Sequence, residues 1–399
     1  MKKLGFVIPW FGEKIPGGAE AELRGLTRHL AESGIELEIL TTCVKEFLAD
    51  WNENYHKPGV TMEGGITIRR FRVRKRDAEA FHKVNLKLMR NEIPLKGEEE
   101  KIFADEMINS PALYEYIAKH KEEYGLFIFI PYMFGTTYYG IQQCMEKAVL
   151  IPCFHNESYI YMDIFKQVFP KVAGMIFHAE PEAELAQKVY GLSKSDTAVL
   201  GEGVDTDLTY DSGRFRQKYK IDQPFILYAG RKDVGKNIYA LIHNFAEYKS
   251  RNSNDLKLVL IGGGSVVLPE SIEKDVHDLG FVDLQDKFDA YAAAELLCQP
   301  SKNESFSLVI MESWLCERPV LVHADCAVTS HFARQSGAGL YFQNYFEFEG
   351  AVNYLLNHKE TADEMGRQGR AFVLDHFAWD VIVEKYTAYF ERLCRQREE

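Results

Sequence analysis

The sequence predicts an α/β protein made of two successive domains, each a parallel β-sheet covered by helices. At 399 residues the chain exceeds what one hydrophobic core usually serves, so two domains of about 150–200 residues are expected. Short apolar runs alternate with amphipathic helical stretches, the pattern of parallel sheets with helices on their faces. This alternation begins again near Phe225, after a polar stretch at 193–223.

The first half of the chain supplies the elements of one such sheet. Its first helix, 19–33, has Leu23, Leu26 and Leu30 on one face, and Gly34 stands where a helix C-cap is favoured. The predicted strands of this half are 4–9, 36–42, 66–73, 126–130, 148–154 and 174–178.

The second half repeats the scheme. Its strands are predicted at 225–229, 256–261, 294–299 and 319–322, and its helices at 238–251, 308–316 and 346–358. The last segment, 379–395, has one apolar helical stripe that includes Ile382, Tyr386 and Phe390. We therefore expect an N-terminal domain at 1–195, completed by the last helix at about 379–399, and a C-terminal domain at 196–378.

Composition limits the class of protein. Hydrophobic residues make up 46% of the chain and charged residues 27%, as in globular proteins, and the net charge of −12 argues against nucleic-acid binding. No window holds the roughly 20 apolar residues of a membrane span, and the first apolar run stops at Pro9, too early for a signal peptide. Seven scattered cysteines, without a Cys-x-x-Cys pair, indicate neither a disulfide framework nor a zinc site. These features predict a soluble cytoplasmic protein.

The strongest chemical signal is a glutamate pair around the start of a predicted helix. Glu304 follows a strand, where open α/β sheets bind ligands, and Glu312 lies two turns further on. Glu304 would accept hydrogen bonds from sugar hydroxyls, and Glu312 would chelate the hydroxyls of a ribose. The alternative is an ordinary capped surface helix. The helix would present to an anion the backbone amides of four residues, Ser305, Phe306, Ser307 and Leu308.

A basic loop opens the second domain. Arg231 and Lys236 lie between its first strand and first helix, and both cations are able to converge on a diphosphate. Negative charge grows on a diphosphate as it leaves, so fixed cations there lower the barrier. A solvated turn is the alternative.

Two weaker signals lie in the first half. Gly17 and Gly18, between the first strand and helix, would let the backbone approach a ligand, although neither Gly-x-Gly-x-x-Gly nor a P-loop is present. His155 follows the strand at 148–154 and would point toward the ligand, a structural histidine being the alternative. The basic stretch Arg69–Arg90 is a candidate for peripheral contact with an anionic membrane, or else a solvated, salt-bridged helix with loops.

Together these segments resemble one enzyme family. Gly-Gly-Ala-Glu at 17–20, His155, the Gly-Arg-x-x-x-x-Lys loop at 230–236 and the Glu304–Glu312 segment occur in the order seen in family-4 glycosyltransferases of the GT-B fold. The resemblance also includes 203–205, 262–264, 280–282 and Trp379, and it is strongest from 200 to 317. Ser307 departs from the family's usual glycine, and 324–330 lacks a common Gly-Gly-x-x-Glu.

The resemblance implies two Rossmann-like domains that face each other across a deep cleft, with the C-terminal helix crossing back to the N-terminal domain. It implies that Gly17 and Gly18 approach the donor, that Val282 lines the base pocket, and that His155 faces the reacting sugar or acceptor. Arg231 and Lys236 would hold the diphosphate, while Glu304 and Glu312 bind the sugar and ribose.

The activity so implied is a retaining, metal-independent transfer of a sugar from a UDP- or GDP-linked donor to a glycan, glycolipid or lipid-linked acceptor. No cofactor, metal or nucleic-acid partner is expected. Two alternatives stay open: a sugar-nucleotide epimerase of the same fold, and a non-catalytic sugar-nucleotide-binding partner of a glycosyltransferase complex.

Overall fold

The computed structural model describes residues 2–13, 15, 17–193 and 197–396. The chain divides into two compact units, Met1–Gly203 with Ile382–Glu399, and Val204–Val381. The first junction lies a few residues after the boundary that the sequence predicts, because Val204 pairs with Ala378 in a parallel bridge and its amide donates to Phe377 O at 2.8 Å. These contacts join Val204 to the second unit.

Unit 1 contains an eight-stranded sheet with the order β3-β4-β2-β1-β5-β6-β7-β8, parallel except for the antiparallel pair β3 and β4. Its strands are β1 (Lys3–Val7), β2 (Leu37–Thr42), β3 (Gly59–Glu63), β4 (Ile66–Phe71), β5 (Tyr124–Phe129), β6 (Ala148–Leu150), β7 (Gly174–Phe177) and β8 (Thr197–Val199). The central strands are buried on both faces and accordingly consist almost wholly of apolar residues.

The helices described in unit 1 are α1 (Gly18–Glu32), α2 (Ala78–Met89), α3 (Gly97–Glu106), α4 (Pro111–His120), α5 (Gly135–Ile141), α6 (Asp163–Val168) and α7 (Glu180–Tyr190). Most of the C-terminal helix, described below, also belongs to this unit. Single 3-10 turns lie at Lys121–Glu123, Met145–Lys147, Ser158–Tyr161 and Phe169–Lys171. Helix α1 buries Leu23, Leu26 and Leu30, the three leucines that predict its inner face.

Unit 2 contains a six-stranded, all-parallel sheet with the order β11-β10-β9-β12-β13-β14. Its strands are β9 (Phe225–Ala229), β10 (Lys257–Ile261), β11 (Val276–Gly280), β12 (Leu296–Gln299), β13 (Val320–His323) and β14 (Gly339–Phe342). The strand order reverses beside β9, as in doubly wound nucleotide-binding sheets.

The helices of unit 2 cover both faces of its sheet. They are α8 (Ser212–Tyr219), α9 (Ile238–Arg251), α10 (Leu284–Ala293), α11 (Leu308–Leu315), α12 (Ala327–Ser336), α13 (Tyr345–Asn357) and α14 (Lys359–Phe377). Two 3-10 turns lie at Val234–Lys236 and Glu270–Asp275.

The four edge strands of the two sheets, β3, β8, β11 and β14, are not predicted by the sequence pattern. Gly59–Glu63 lies almost fully exposed, and Thr197–Val199, Val276–Gly280 and Gly339–Phe342 are only partly buried. Edge strands bury little surface, so they need no apolar run and give no clear periodicity. Within the sheets, the predicted strand 148–154 ends at Leu150, and its last residues form a loop.

The C-terminal helix, α15 (Trp379–Arg395), completes unit 1. Phe390 packs edge-on against Phe6 with ring centroids 6.5 Å apart, and the Tyr386 hydroxyl donates to Gly201 O at 3.0 Å. The buried residues of the helix, Ile382, Tyr386, Tyr389, Phe390 and Leu393, form the apolar stripe seen in the sequence. The expected return of the last helix to the N-terminal domain is therefore confirmed.

Within the described ranges, no helix is long and apolar enough to cross a membrane.

Replacement by alanine should have opposite effects on stability at two glycines in the helices of unit 2. A Cβ on Gly366 would lie 2.0 Å from Glu317 O, whereas one on the exposed Gly350 would meet nothing within 4 Å. We expect Gly366→Ala to lower the free energy of unfolding by about 1–3 kcal/mol through overpacking. Gly350→Ala should raise it by up to about 1 kcal/mol through helix propensity. Urea titrations of the two variants measure both effects, and equal effects would contradict the packing of α14.

Candidate functional site

Neighbouring loops meet at the carboxyl edge of the unit 2 sheet. The amide of Lys232, after β9, donates to Gly263 O, after β10, at 2.7 Å. The amide of Gly262 in turn donates to Gly280 O, at the end of β11, at 2.7 Å. Backbone hydrogen bonds therefore fix three successive loops relative to one another.

Glycine is required at the centre of this loop cluster. Gly262 has φ +117°, and a Cβ there would lie 2.1 Å from Gly230 O. Gly264 has φ +94°, and its Cβ would lie 2.9 Å from Lys232 O. Side chains at either position would force the loops apart. The Gly262–Gly264 run is therefore a place where the backbones of neighbouring loops come into direct contact.

An ion pair with a buried lysine strengthens the same contact. Lys232 has a side chain only 1% exposed, and its ammonium group pairs with the Asp278 carboxylate. Asp278 Oδ1 also accepts from the Gly280 amide at 3.1 Å. The pair ties the first loop to β11, and neither residue stands out in the sequence, because one lysine and one aspartate 46 residues apart form no motif.

The loop after β9 holds both predicted cations. The Lys236 amide donates to Asp233 Oδ1 at 2.9 Å, which closes the 3-10 turn. Lys236 Nζ lies 2.7 Å from Glu304 Oε1, so two clusters 68 residues apart in sequence are in direct contact. Arg231 Nε lies 3.5 Å from Asp233 Oδ2, and its side chain is 68% exposed and open to a ligand.

Tyr228, the fourth residue of β9, fixes the backbone of this loop. Its hydroxyl donates to Arg231 O at 2.5 Å. Burial, followed by the nearby carboxylates of Asp233 and Glu304, raises the pKa of the Tyr228 phenol well above its usual range. The hydroxyl therefore stays protonated and available as a donor.

Helix α11 begins directly behind Glu304. Ser307 at its N-cap has left-handed backbone angles, φ 85° and ψ 76°, and its side chain makes no capping hydrogen bond. Phe306 is buried and packs edge-on against Phe332 and Phe377, with centroids 5.6 and 5.0 Å away. Anchored by Phe306, the helix starts with uncapped first-turn amides, the arrangement that attracts anions.

Glu312 lies on the same helix and is held by two partners. Lys287 Nζ lies 2.5 Å from Glu312 Oε1, and the Tyr291 hydroxyl donates to Oε2 at 2.8 Å. Burial, and then the charge of Glu312, raises the pKa of Tyr291 well above its usual range, so the phenol stays protonated. Lys287 and Tyr291 both lie on α10 and belong to no sequence motif, so the sequence does not predict that they contact Glu312.

Val282 follows β11 and is partly buried. Its neighbour Phe281 is 85% exposed, and the Phe281 ring covers Gly263, where a Cβ would lie 2.8 Å from the ring. A large exposed aromatic ring therefore stands beside the glycine loops.

The remaining predicted residues lie in unit 1, at the carboxyl edge of its sheet. Gly17 has φ +144°, and Gly18 begins α1. His155 follows β6, with its Nδ1 3.5 Å from Glu157 Oε1. The Tyr132 hydroxyl donates to the same carboxylate oxygen at 3.3 Å. These residues occupy the loop ends that the sequence assigns to them.

The basic stretch Arg69–Arg90 is largely ion-paired. Its salt bridges are to glutamates, in the pairs Arg69–Glu38, Arg70–Glu63, Arg74–Glu106, Lys83–Glu79, Lys87–Glu99 and Arg90–Glu92. Arg76 lies over the Trp51 ring, 4.7 Å from its centroid. Much of the positive charge of the stretch is therefore compensated within unit 1.

The unit 2 edge has the chemistry of an anion site with hydroxyl acceptors beside it. Arg231, Lys236 and the start of α11 supply positive charge and donors, whereas Glu304 and Glu312 supply carboxylate oxygens. An anion that draws Lys236 toward itself would also free one oxygen of Glu304. This combination suits a ligand with both phosphates and hydroxyls.

Comparison with known families bears directly on this unit. Residues 211–372, which include Arg231, Lys236, Glu304 and Glu312, match the family model described as glycosyl transferases group 1.

Among curated proteins, the chain is similar to the D-inositol 3-phosphate glycosyltransferase of Gordonia bronchialis. The two are 27% identical over 248 residues, which is 57% of this chain and 54% of that protein. The chain thus spans about half the length of the curated relatives it matches.

Among solved structures, the fold resembles sucrose-phosphate synthase from Thermosynechococcus elongatus, with a TM-score of 0.71, 17% identity, and coverage of 98% of this chain and 99% of that one. It also resembles HepE of Anabaena in complex with UDP-glucose, with a TM-score of 0.67, 15% identity, and coverage of 98% and 100%. The chain therefore has the GT-B class of α/β fold, and residues 211–372 match the family model of glycosyl transferases group 1.

Proposed function

We propose that this protein is a retaining glycosyltransferase that moves a sugar from a UDP- or GDP-linked donor to a hydroxyl of a glycan, glycolipid or lipid-linked acceptor. The observation that carries the proposal is the contact between Lys236 Nζ and Glu304 Oε1 at 2.7 Å, beside the uncapped start of α11. A cation for the diphosphate and a carboxylate for the sugar are thus held at adjacent points of one edge.

The donor would bind unit 2 in an extended form. Its diphosphate would lie against Arg231, Lys236 and the backbone amides of Ser305, Phe306, Ser307 and Leu308, the residues that lead into and begin α11. Its ribose hydroxyls would replace Lys287 or Tyr291 as partners of Glu312. The base would lie near Val282, and HepE, a protein of similar fold, holds UDP-glucose in its solved complex.

The transfer step needs no acid or base from outside the substrates. The acceptor oxygen forms a bond to the anomeric carbon as the bond from that carbon to the diphosphate oxygen breaks. The acceptor's hydroxyl proton passes to the departing diphosphate oxygen, so attack and departure share one face and the configuration is retained. Arg231 and Lys236 stabilise the charge that accumulates on the diphosphate.

Two fixed cations and the amides of α11 offer the charge compensation that other transferases take from a divalent ion. We therefore propose a metal-independent transfer. The family-4 resemblance supports the retained configuration and the roles of His155, Gly17 and Gly18 in unit 1. There, His155 would face the reacting sugar or the acceptor.

Two variants test the proposed roles in transfer. We expect Lys236→Ala and Glu304→Ala each to reduce transfer at least about tenfold, or roughly 1.4 kcal/mol of barrier. Each removes a group that touches the diphosphate or the sugar. The readout is release of UDP or GDP in the presence of donor and acceptor.

Lys302→Ala is the matched control for this experiment. Lys302 is also a lysine at the same sheet edge, but its side chain is 51% exposed and it pairs with Asp325 instead of Glu304. It should retain near-normal turnover. If all three variants turn over normally, the assignment of the site is wrong; if wild-type protein binds the donor without releasing nucleotide, the non-catalytic alternative holds.

The donor class is open to a direct screen. A ligand that binds the native state raises the melting temperature, by an amount set by its affinity and concentration. We expect a rise with a UDP- or GDP-sugar, reduced in Glu312→Gln because one ribose acceptor is lost. No rise with UDP-, GDP- or dTDP-sugars would contradict the proposed donor site. Conversion of the donor to its epimer without an acceptor would support the epimerase alternative.

Peripheral binding of Arg69–Arg90 to an anionic membrane is a separate proposal, and the paired charges weigh against it. Arg70, Arg74 and Lys87 already have glutamate partners, so each would have to leave one to contact a lipid headgroup. We expect little flotation with vesicles of anionic lipid at low salt. Strong, salt-sensitive flotation would instead support membrane contact.

A further inference from the structure

A second cluster of chemically active side chains lies in unit 1, and none of its members has a role in the proposed transfer. It joins Glu22 of α1, Cys153 of the loop after β6, and His178, directly after β7. One ligand atom from each, a carboxylate oxygen, Sγ and an imidazole nitrogen, lies within 4.8 Å of the other two. We propose that these three residues bind a zinc ion.

The distances are close to those that tetrahedral zinc imposes. His178 Nε2 lies 2.7 Å from Glu22 Oε1, and Cys153 Sγ lies 4.0 Å from Glu22 Oε2. With the usual Zn–N, Zn–O and Zn–S bond lengths, nitrogen and oxygen ligands lie about 3.3 Å apart and sulfur and oxygen ligands about 3.5 Å apart. The imidazole contacts Oε1 and the thiol lies nearest Oε2, so a rotation of the carboxylate with shifts of roughly half an ångström, within the reach of a glutamate side chain, brings the ligands to zinc geometry.

The imidazole has the support that zinc-bound histidines typically receive. His178 Nδ1 lies 3.5 Å from Glu182 Oε2, on the side of the ring opposite Glu22. Glu182 itself is fixed by two backbone amides, of Phe154 at 2.7 Å and His178 at 2.8 Å. A carboxylate behind the ring orients the imidazole and raises its basicity toward a metal.

The charge of the surroundings favours a cation. The Glu22, His178 and Glu182 side chains are at most 4% exposed, so water compensates their charges poorly. Two carboxylates, Glu22 and Glu182, flank the one imidazole, and Cys153 Sγ lies 4.0 Å from Glu22 Oε2. A divalent ion held by a thiolate and a carboxylate would offset this excess of negative charge.

The ligand set indicates which metal. Thiolate and imidazole favour zinc over magnesium or calcium, which take oxygen ligands almost exclusively. Three protein ligands leave one tetrahedral position for a water molecule. The left-handed backbone of Cys153, φ 57°, is uncommon for a residue other than glycine, and such conformations concentrate at functional sites.

The ion would stabilise the fold of unit 1 and would take no part in sugar transfer. It would join the first turns of α1, which follow Gly17 and Gly18, to the loop that carries His155. Its presence is measured without any activity assay, so the zinc site and the proposed transferase function fail or succeed independently.

Zinc content of the full-length chain provides the test. Protein stripped with a chelator, equilibrated with micromolar zinc sulfate and freed of excess metal should contain one zinc per chain by mass spectrometry. Cobalt in place of zinc should give a thiolate-to-cobalt charge-transfer band. Cys153→Ser should abolish that band and, like Glu22→Gln, reduce bound zinc at least tenfold.

Cys394→Ser is the matched control, because Cys394 is also a partly buried cysteine of unit 1 but lies outside the cluster. It should keep the metal and the band. Circular dichroism establishes that each variant is folded, and if Glu22→Gln is not, the conservative Cys153→Ser decides. A folded wild-type chain that takes up no zinc, or a Cys153→Ser protein that keeps the cobalt band, would overturn the proposal.

Discussion

The direction of the parallel strands is the constraint on which the rest of the structure depends. When neighbouring strands run the same way, the loops that follow them gather at one edge, and helices begin there with their amides exposed. In unit 2 this brings the ends of β9, β10 and β11 together, and Gly262 and Gly264 let their backbones pack directly. Lys236 reaches Glu304 only because both loops end at this edge.

At the carboxyl edge of the unit 2 sheet, the carboxylates proposed to bind the donor are already paired with side chains of the protein. Glu304 is paired with Lys236, and Glu312 with Lys287 and Tyr291. Such pairs orient the two carboxylates, whose side chains are only 10% and 15% exposed, and an unpaired charge with so little access to water would be costly. A donor would replace these contacts with its own, because its phosphates would pair with the lysines and its hydroxyls would donate to the glutamates.

The sequence predicts the fold better at the centre of each sheet than at its edges. Buried strands such as β1, β5, β9 and β10 are continuous apolar runs, and the helices that cover them have apolar faces. The edge strands lack that signal. Arg231, Lys236 and Glu304 are candidates because each follows a predicted strand, and Glu312 because it lies two turns beyond Glu304. Lys232, Lys287 and Tyr291, which fix the loops or pair with Glu312, belong to no motif.

What the sequence determines by itself is therefore local and periodic: two rounds of strand and helix, glycine turns, Arg231, Lys236 and Glu304 after strand ends, and Glu312 in the helix that follows Glu304. Contacts between residues distant in the chain depend on tertiary structure, because the order of strands in the sheet decides which loops become neighbours. The pair of the buried Lys232 with Asp278 is one such contact. The cluster of Glu22, Cys153 and His178 is another. Its members are separated by 131 and 25 residues, so no spacing rule for metal ligands detects it, and only the packing of α1 against the ends of β6 and β7 brings them within reach of one ion.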